Sequence, residues 1–192
     1  MPEGVTLTLI AVVLLAIAFD YINGFHDTAN AIATSVATKA LRPQHAIAMA
    51  ALFNFVGAFA GTAVAKTIGK SLVDEATTTQ TVVAAALIGA IVWNLITWRW
   101  GIPSSSSHAL IGGLLGATII AVGPGALLVD GIIGKVLIPL ITSPVAGFLI
   151  GFVLMLALYW LFRGFDRKPL GRVFKALQVF SAGYMAFAHG SN

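Results

Sequence analysis

The sequence predicts an all-α protein, a polytopic membrane helix bundle, and three observations support this fold class. Hydrophobic residues make up 58% of the 192 residues and charged residues only 9%, whereas a soluble domain carries about a quarter charged residues. Apolar runs long enough to cross the hydrocarbon core recur along the chain. The first of them changes abruptly to amide, imidazole and carboxylate side chains at 23–30. Polar groups at membrane depth are costly, so such a cluster indicates an ion or substrate pathway.

Composition also excludes several classes of function. The chain has no cysteine, which excludes disulfides, thiolate metal sites and thiol redox chemistry, and we expect no cofactor. The net charge of +4 comes from cations in short loops between apolar runs, a pattern set by membrane orientation, so no nucleic acid partner is expected. The first run has no basic leader and no small-residue cleavage site, so we expect it to remain in the mature protein.

Hydropathy divides the chain into candidate membrane segments. They cover 5–22 with a continuation at 28–41, then 43–65, 80–98, 103–122, 132–162 and 176–190. At about 1.5 Å per residue the first segment with its continuation is too long for one perpendicular helix, which predicts an interrupted first helix near Asn23 and Gly24. Pro139 and Pro144 predict kinks in the fifth segment.

Charge distribution gives the predicted orientation and domains. Residues 163–175 contain five cations and one acid, which predicts a basic cytoplasmic linker. Counting back places 123–131 and 66–79 outside, 39–42 inside and the N-terminus outside. The linker then separates a first transmembrane repeat (1–162) from the truncated start of a second repeat (176–192).

The two ends of the chain share a pattern that suggests inversion. His189-Gly190-Ser191-Asn192 follows an apolar run, as Asn23 and Gly24 do, but the two segments have opposite predicted orientations. Inverted copies of one repeat are typical of secondary transporters.

Five polar residues of the first segment lie on one predicted helical face. Their spacing is 3, 4, 3 and 4 residues, and they are Asp20, Asn23, Asp27, Asn30 and Thr34. Such a stripe can coordinate a cation, carry a proton or contact a substrate. Interhelical hydrogen bonding is the alternative, but it needs only amides and hydroxyls. The two carboxylates therefore favour a functional stripe, with Asp27 as its principal residue.

A serine run, Pro103-Ser104-Ser105-Ser106-Ser107-His108, forms the second polar cluster. Pro and Ser at these positions favour helix initiation, and hydroxyls beside free N–H groups can hold an anion. The flanking segments form either a re-entrant hairpin with a serine tip at depth or two full spans joined at the surface. An ordinary helix cap is the simpler reading of the serines.

Other polar residues allow less specific readings. Asn54 and Asn94 are single amides in apolar spans, where packing hydrogen bonds are more common than ligand contacts. His108 can cap, pair or relay protons. Ser, His and Asp together raise the alternative of a hydrolase, but no G-x-S-x-G or H-E-x-x-H pattern occurs, and we predict that the chain is not an enzyme.

Several motifs together resemble the PiT family of inorganic phosphate transporters. They occur in the family's order over nearly the whole chain: Gly24-Phe-His-Asp-Thr-Ala-Asn-Ala31, Phe53-Asn54, Trp93-Asn94-Leu95, Pro103-Ser-Ser-Ser-Ser-His-Ala109, Thr142-Ser143-Pro144 and Phe187-Ala-His-Gly-Ser-Asn192. The resemblance implies a phosphate symporter built from two inverted repeats, of which this chain is the N-terminal half. It implies a multi-pass protein of the cell (inner or plasma) membrane, with inorganic phosphate and the lipid bilayer as partners and a homodimer as a candidate full-length assembly.

The resemblance also implies roles for individual residues. The expected phosphate-binding residues are Thr28, Asn30, Ser104, Ser105, Ser106 and Ser107. The expected cation or proton site comprises Asn23, Asp27, Asn54 and Asn192, with His26, Asn94 and His108 as secondary candidates.

Two features resemble the bacterial low-affinity permeases rather than the sodium-coupled members. These are Phe25-His26 in the first motif and Asn54 in place of Glu. These permeases are proton-coupled and accept divalent-metal–phosphate complexes, whereas other members of the family are coupled to sodium. The expected coupling ion is therefore H⁺ or Na⁺, and the expected substrate includes a metal–phosphate complex. A sulfate permease of the same fold, and a transport-incompetent fragment with only a packing role, are the alternatives.

Overall fold

The computed structural model describes residues 3–60 and 71–191, and this part of the chain is predominantly helical. The helices are α1 (Glu3–Ala37), α2 (Pro43–Ala58), α3 (Gln80–Trp100), α4 (Ser106–Ala121), α5 (Val129–Phe162) and α6 (Arg167–Gly190). Among the described residues, α1, α3 and α5 are long and apolar enough to cross a membrane, and α4 is a shorter apolar helix. The predicted membrane bundle is confirmed. The end of predicted segment 43–65 lies outside the described residues.

Local sequence determines several helix ends. Pro43 stands at the start of α2, where its missing N–H costs nothing. The Thr79 side chain accepts the N–H of Val82 at the start of α3, and Ser105 accepts the N–H of His108 at the start of α4. Gly101, with φ of 64°, ends α3 in the left-handed conformation. These caps place Ser104 and Ser105 in the tight connection between α3 and α4, and Ser106 and Ser107 in the first turn of α4.

The predicted interruption of the first helix is wrong. α1 runs without a break through Asn23 and Gly24, and the Thr28 hydroxyl donates to the Gly24 carbonyl within the same helix. A glycine in a helix costs only about 1 kcal/mol relative to alanine, which is too little to break a long apolar helix. At about 1.5 Å per residue, 35 residues extend roughly 50 Å, so α1 must tilt or project beyond the hydrocarbon.

Helices α1, α3 and α4 form one packed group. Phe19 packs with Leu87 and Ala90, and further along both helices the Phe25 and Trp98 rings meet at 5.4 Å, so α1 and α3 run parallel. α4 returns antiparallel along α3, and the two backbones approach closely at Gly113, where a Cβ would meet the Ala86 carbonyl. The predicted hairpin with its serine tip is confirmed.

Helices α2 and α6 form a second group with α1. The Thr38 hydroxyl donates to the Gln178 side chain at 2.7 Å near the end of α1, whereas Asp27 lies beside His189 near the end of α6. α1 and α6 are therefore antiparallel, which brings 39–42 and 163–166 to one end of the bundle. At the other end, Val73 forms an isolated β-bridge with Leu127. Residues 39–42 and 163–166 thus share one end of the bundle, and Val73 and Leu127 share the other. The same grouping follows from the charge distribution of the sequence.

Two segments differ from simple expectation. α6 begins at Arg167, so most of the predicted linker 163–175 is helical. Pro169 does not prevent this, because it lies in the first turn of the helix, where proline is tolerated. In α5 a π-helical turn at Ile133–Leu137 precedes Pro139, and Pro144 lies inside the continuing helix. No residue of α5 from Val129 to Phe162 is buried, so its apolar side chains face outward from the described bundle.

The hairpin should be sensitive to one of two adjacent glycines. Gly113→Ala places a methyl group against the Ala86 carbonyl, whereas Gly112→Ala meets nothing within 4 Å. We expect Gly113→Ala to lower the thermal stability of the detergent-solubilised protein. Gly112→Ala should leave it unchanged or raise it by up to about 1 kcal/mol through helix propensity. Equal effects of the two changes would contradict the close approach of α3 and α4.

Candidate functional site

Asp27 is the centre of a polar cluster formed by three helices. His26, its neighbour on α1, lies with Nδ1 2.7 Å from Oδ1 of Asp27. The Ser106 hydroxyl, at the first turn of α4, donates to Oδ2 at 2.9 Å. Nε2 of His189, at the end of α6, lies 3.8 Å from Oδ2. The Asp27 side chain is only 14% exposed, so these groups replace most of the water around its carboxylate.

A line of polar contacts continues from both sides of the carboxylate, with the 3.8 Å approach of His189 to Asp27 longer than a hydrogen bond. Nδ1 of His189 lies 2.7 Å from Oδ1 of Asn54, whose Nδ2 donates to the Ala50 carbonyl at 2.8 Å. Because the amide nitrogen of Asn54 is engaged there, its oxygen accepts from the imidazole. On the other side, the Thr97 hydroxyl lies 3.3 Å from Nε2 of His26. The line joins Asn54, His189, Asp27, His26 and Thr97 across four helices.

Small residues allow this contact between α2 and α6. A Cβ at Gly57 would meet the Phe187 carbonyl, and a Cβ at Gly190 would meet the Asn54 carbonyl. Ala50 and Ala186 are fully buried in the same interface. The two backbones therefore approach closely enough for the Asn54 and His189 side chains to bond.

A cavity of about 220 Å³ opens beside the carboxylate. Its lining includes Asp27, Asn30, Ser104, Ser105 and His189. On the other side of the serine tip, Trp93 and His108 line a second cavity of about 450 Å³ that shares Ser104 and Ser105. The two serines therefore separate two cavities.

Hydrogen bonds at the serine tip leave hydroxyl protons free to bind an anion. Nε1 of Trp93 donates to Oγ of Ser104 at 3.1 Å, and the N–H of His108 donates to Oγ of Ser105 at 3.3 Å. Each hydroxyl oxygen is thus an acceptor, and its own O–H is available as a donor. The positive end of the α4 dipole adds to this anion-binding character. Asp27 repels an anion, so the cavity suits an anion only together with a proton or a cation.

The serine tip lies some distance from the end of the bundle that carries Lys39 and Arg42. Asp27, which Ser106 contacts, precedes the end of α1 at Ala37 by about 15 Å at the helical rise. Beyond Ala37 come Lys39 and Arg42, which are expected at the membrane surface. This distance favours the re-entrant hairpin over a turn at that surface.

Of the sequence-predicted residues, the structure brings seven together. Asp27, Asn30, Ser104 and Ser105 line the smaller cavity, and Ser106 and His26 bond to the carboxylate. Asn54 joins this group through His189.

The remaining predicted residues lie elsewhere. Thr28 donates to its own helix, Ser107 is exposed, and His108 lines the larger cavity. Both side-chain polar atoms of fully buried Asn94, and Oδ1 of Asn23, have no hydrogen-bond partner among the described residues. The Asn23 oxygen precedes Asp27 by one helical turn and suits a cation ligand. Asn192 lies outside the described residues.

Sequence reasoning missed His189 and Thr97 as site residues. His189 was recognised only as part of the repeated motif, although an imidazole at the end of an apolar run is itself a signal of function. Thr97 gave no signal, because a threonine in an apolar helix usually bonds to its own backbone, as Thr97 also does with the Trp93 carbonyl at 3.0 Å.

The chain was compared with known proteins and matches the model of the phosphate transporter family over residues 23–171. It is 51% identical to a probable low-affinity inorganic phosphate transporter of Bacillus subtilis (strain 168), over 95% of this chain and 55% of that protein. It is 49% identical to one of the same description from Mycobacterium bovis, over 96% of this chain and 44% of that protein.

A solved structure agrees with these sequence matches. The structure titled as the sodium-dependent phosphate transporter superposes with a TM-score of 0.77 at 25% identity, over 95% of this chain and 54% of that one. The chain spans about half the length of the curated relatives described here. These relatives are transporters and not enzymes, as the sequence predicts. Since the family match covers most of the chain and includes both Asp27 and the serine tip, the protein belongs to the phosphate transporter family.

Proposed function

We propose that this chain forms one half of the translocation site of a secondary transporter that takes up inorganic phosphate together with a cation. One observation carries the proposal: Asp27, the two tip serines and His189 line the same cavity. The serine hydroxyls and the α4 N-terminus supply donors for the phosphate oxygens. The carboxylate supplies a negative charge that a cation must neutralise before phosphate can bind beside it.

The second half of the site belongs to the same proposal. Residues 1–162 form the first repeat, and the segment from 176 begins an inverted second repeat after the basic, cytoplasmic stretch 163–175. The antiparallel arrangement of α1 and α6 supports the inversion, as does the contact between Asp27 and His189 from the two copies of the motif.

The coupling ion is H⁺ or Na⁺, and the surroundings of Asp27 favour the proton. Its carboxylate is flanked by two imidazoles, which exchange protons, and the Asn54 oxygen already accepts from His189. Uptake by the complete transporter in proteoliposomes, driven by an imposed proton gradient or an imposed sodium gradient, distinguishes the two ions.

Substrate identity follows from the family and has a direct test. The alternative of a sulfate permease rests only on the equal geometry of the two anions, and family membership weighs against it. Radiolabelled phosphate uptake should persist in excess sulfate and fall in excess unlabelled phosphate. Equal competition by both anions would overturn the choice of phosphate. Uptake enhanced by divalent metal would indicate a metal–phosphate complex as the transported species.

Asp27→Asn should abolish coupled phosphate uptake while leaving membrane insertion intact. The amide keeps the size of the side chain but removes the charge that makes phosphate binding depend on a cation. Asp20→Asn is the matched control, because Asp20 lies on the same helical face but is exposed and does not line the cavity. Radiolabelled uptake in the complete transporter, corrected for protein in the membrane fraction, gives the result. Normal uptake by the Asp27 variant would refute the proposal.

Two adjacent serines should differ in their importance. Ser106 is 3% exposed and donates to the Asp27 carboxylate, whereas Ser107 is exposed. Hydrogen bonds to a charged group contribute about 1.5–3 kcal/mol, so Ser106→Ala should reduce uptake roughly tenfold or more. Ser107→Ala should stay within about twofold of the unmodified protein. The reverse order would place the anion at Ser107, which is one of the four serines that the resemblance implies as phosphate ligands.

Trp93 should act on phosphate affinity by orienting Ser104. Without the Nε1 donor the serine hydroxyl rotates freely, so Trp93→Phe should raise the KM for phosphate about fivefold, the effect of one ordinary hydrogen bond. The maximal rate should change little. Trp98→Phe is the control, since Trp98 packs its ring against Phe25. A fall in rate at unchanged KM would show that Trp93 does not orient a binding group.

A further inference from the structure

A basic surface lies at the start of α6, away from the carboxylate site. Lys168, Arg172 and Lys175 are spaced by four and three residues, which places them on one helical face. All three are exposed, and none forms an ion pair with another described residue. We call these three residues the basic face.

The opposite side of the same helix is apolar. Leu170, Val173, Phe174 and Leu177 fall on that side, and Val173 and Leu177 are each more than half exposed. The first half of α6 is therefore amphipathic, although its second half packs inside the bundle. A helix with one basic and one apolar face is typical of a segment at a membrane interface.

Contacts with the neighbouring helices locate this segment along the membrane normal. Gln178 bonds to Thr38, which follows the last residue of α1. At about 1.5 Å per residue, the basic face extends from roughly 5 Å to 15 Å beyond that point. Lys39 and Arg42 lie at the same end of the bundle. The basic face is thus at the level of the lipid headgroups or just outside it.

Aromatic residues surround the base of this segment. The Phe174 ring packs on Phe162 of α5 at 5.6 Å, and Phe162 also meets Phe165 at 5.6 Å. The Arg163 guanidinium lies 4.4 Å from the centre of the Trp160 ring. Of these rings Trp160 is the type that prefers the boundary between hydrocarbon and headgroups, where its polar N–H can reach water. The position deduced from aromatic residues agrees with the position deduced from helix rise.

We propose that the basic face binds the phosphate groups of anionic phospholipids at this side of the membrane. The stretch 163–175, which contains the basic face, has five cations and one acid, so its charge is complementary to an anionic leaflet. The apolar face and the aromatic rings contact the acyl chains beneath the same headgroups. This surface is separate from the transport site and does not depend on the proposed function.

The geometry favours lipid over dissolved phosphate. Successive cations of the basic face are separated by about 5–6 Å of helix rise and do not converge on a cavity. Lys168 and Lys175 are about 10 Å apart along the helix, so a single small anion does not contact all three cations, whereas several headgroups of a leaflet do.

Lipid retention by the full chain tests the proposal. The chain is reconstituted in bilayers of phosphatidylcholine with increasing phosphatidylglycerol and then extracted, and the copurifying lipids are quantified at low and high salt. We expect enrichment of phosphatidylglycerol that decreases with salt. The triple change Lys168→Gln, Arg172→Gln, Lys175→Gln should reduce it by about fivefold for each cation removed.

Two controls separate this proposal from its alternatives. The charge-conserving set Lys168→Arg, Arg172→Lys, Lys175→Arg should retain the enrichment, and Lys135→Gln, at the other end of α5, should not affect it. Unchanged enrichment in the glutamine variant would overturn the proposal. Displacement of the lipid by millimolar inorganic phosphate at constant ionic strength would also overturn it and identify dissolved phosphate as the ligand.

Discussion

The structure depends on how the Asp27 carboxylate is accommodated away from water. A buried carboxylate is stable only when nearby groups donate to it, and a single helix in a bilayer cannot supply them. Here His26 of α1 and Ser106 at the start of α4 hydrogen-bond to the carboxylate, and the His189 imidazole at the end of α6 lies 3.8 Å from it. The hairpin must reach inward to deliver Ser106, and α6 must lie antiparallel to α1 to deliver His189. The requirement of one charge thus explains the placement of three helices.

Packing by small residues makes that placement compatible with a membrane. Helices in lipid gain little from hydrophobic burial, so close backbone contact and interhelical hydrogen bonds hold them together. Gly57 and Gly190 allow α2 and α6 to touch, and the Asn54–His189 bond forms at the same level. Gly113 likewise allows α4 to pack closely against α3 beside Ala86. The site and the fold therefore share contacts, whereas α5, with no buried residue, contributes to neither within the described chain.

Sequence reasoning predicted the elements better than their junctions. Hydropathy located the apolar helices, because length and composition determine them, and the spacing of Asp27 and Asn30 placed both on one face. Sequence reasoning predicted a break at Gly24, but the helix is continuous there. The low helix propensity of one glycine is too small a cost to interrupt a long apolar helix. Sequence reasoning also could not place Thr97 beside His26, because that contact joins residues far apart in the chain. Such contacts depend on tertiary packing, which periodicity does not encode.

The smaller cavity combines two opposite preferences, and this gives the proposed coupling a physical basis. The serine hydroxyls and the α4 N-terminus favour an anion, while Asp27 favours a proton or a cation. Phosphate alone is repelled by Asp27, and a cation alone is repelled by the positive end of the α4 dipole. When both ions are bound, their charges neutralise each other. Thermodynamic linkage makes this reciprocal, so the cation must strengthen phosphate binding by the same factor as phosphate strengthens cation binding. Removing the carboxylate charge weakens the link without removing the anion's donors. In the uncoupled protein, phosphate binding should therefore persist but no longer respond to the cation.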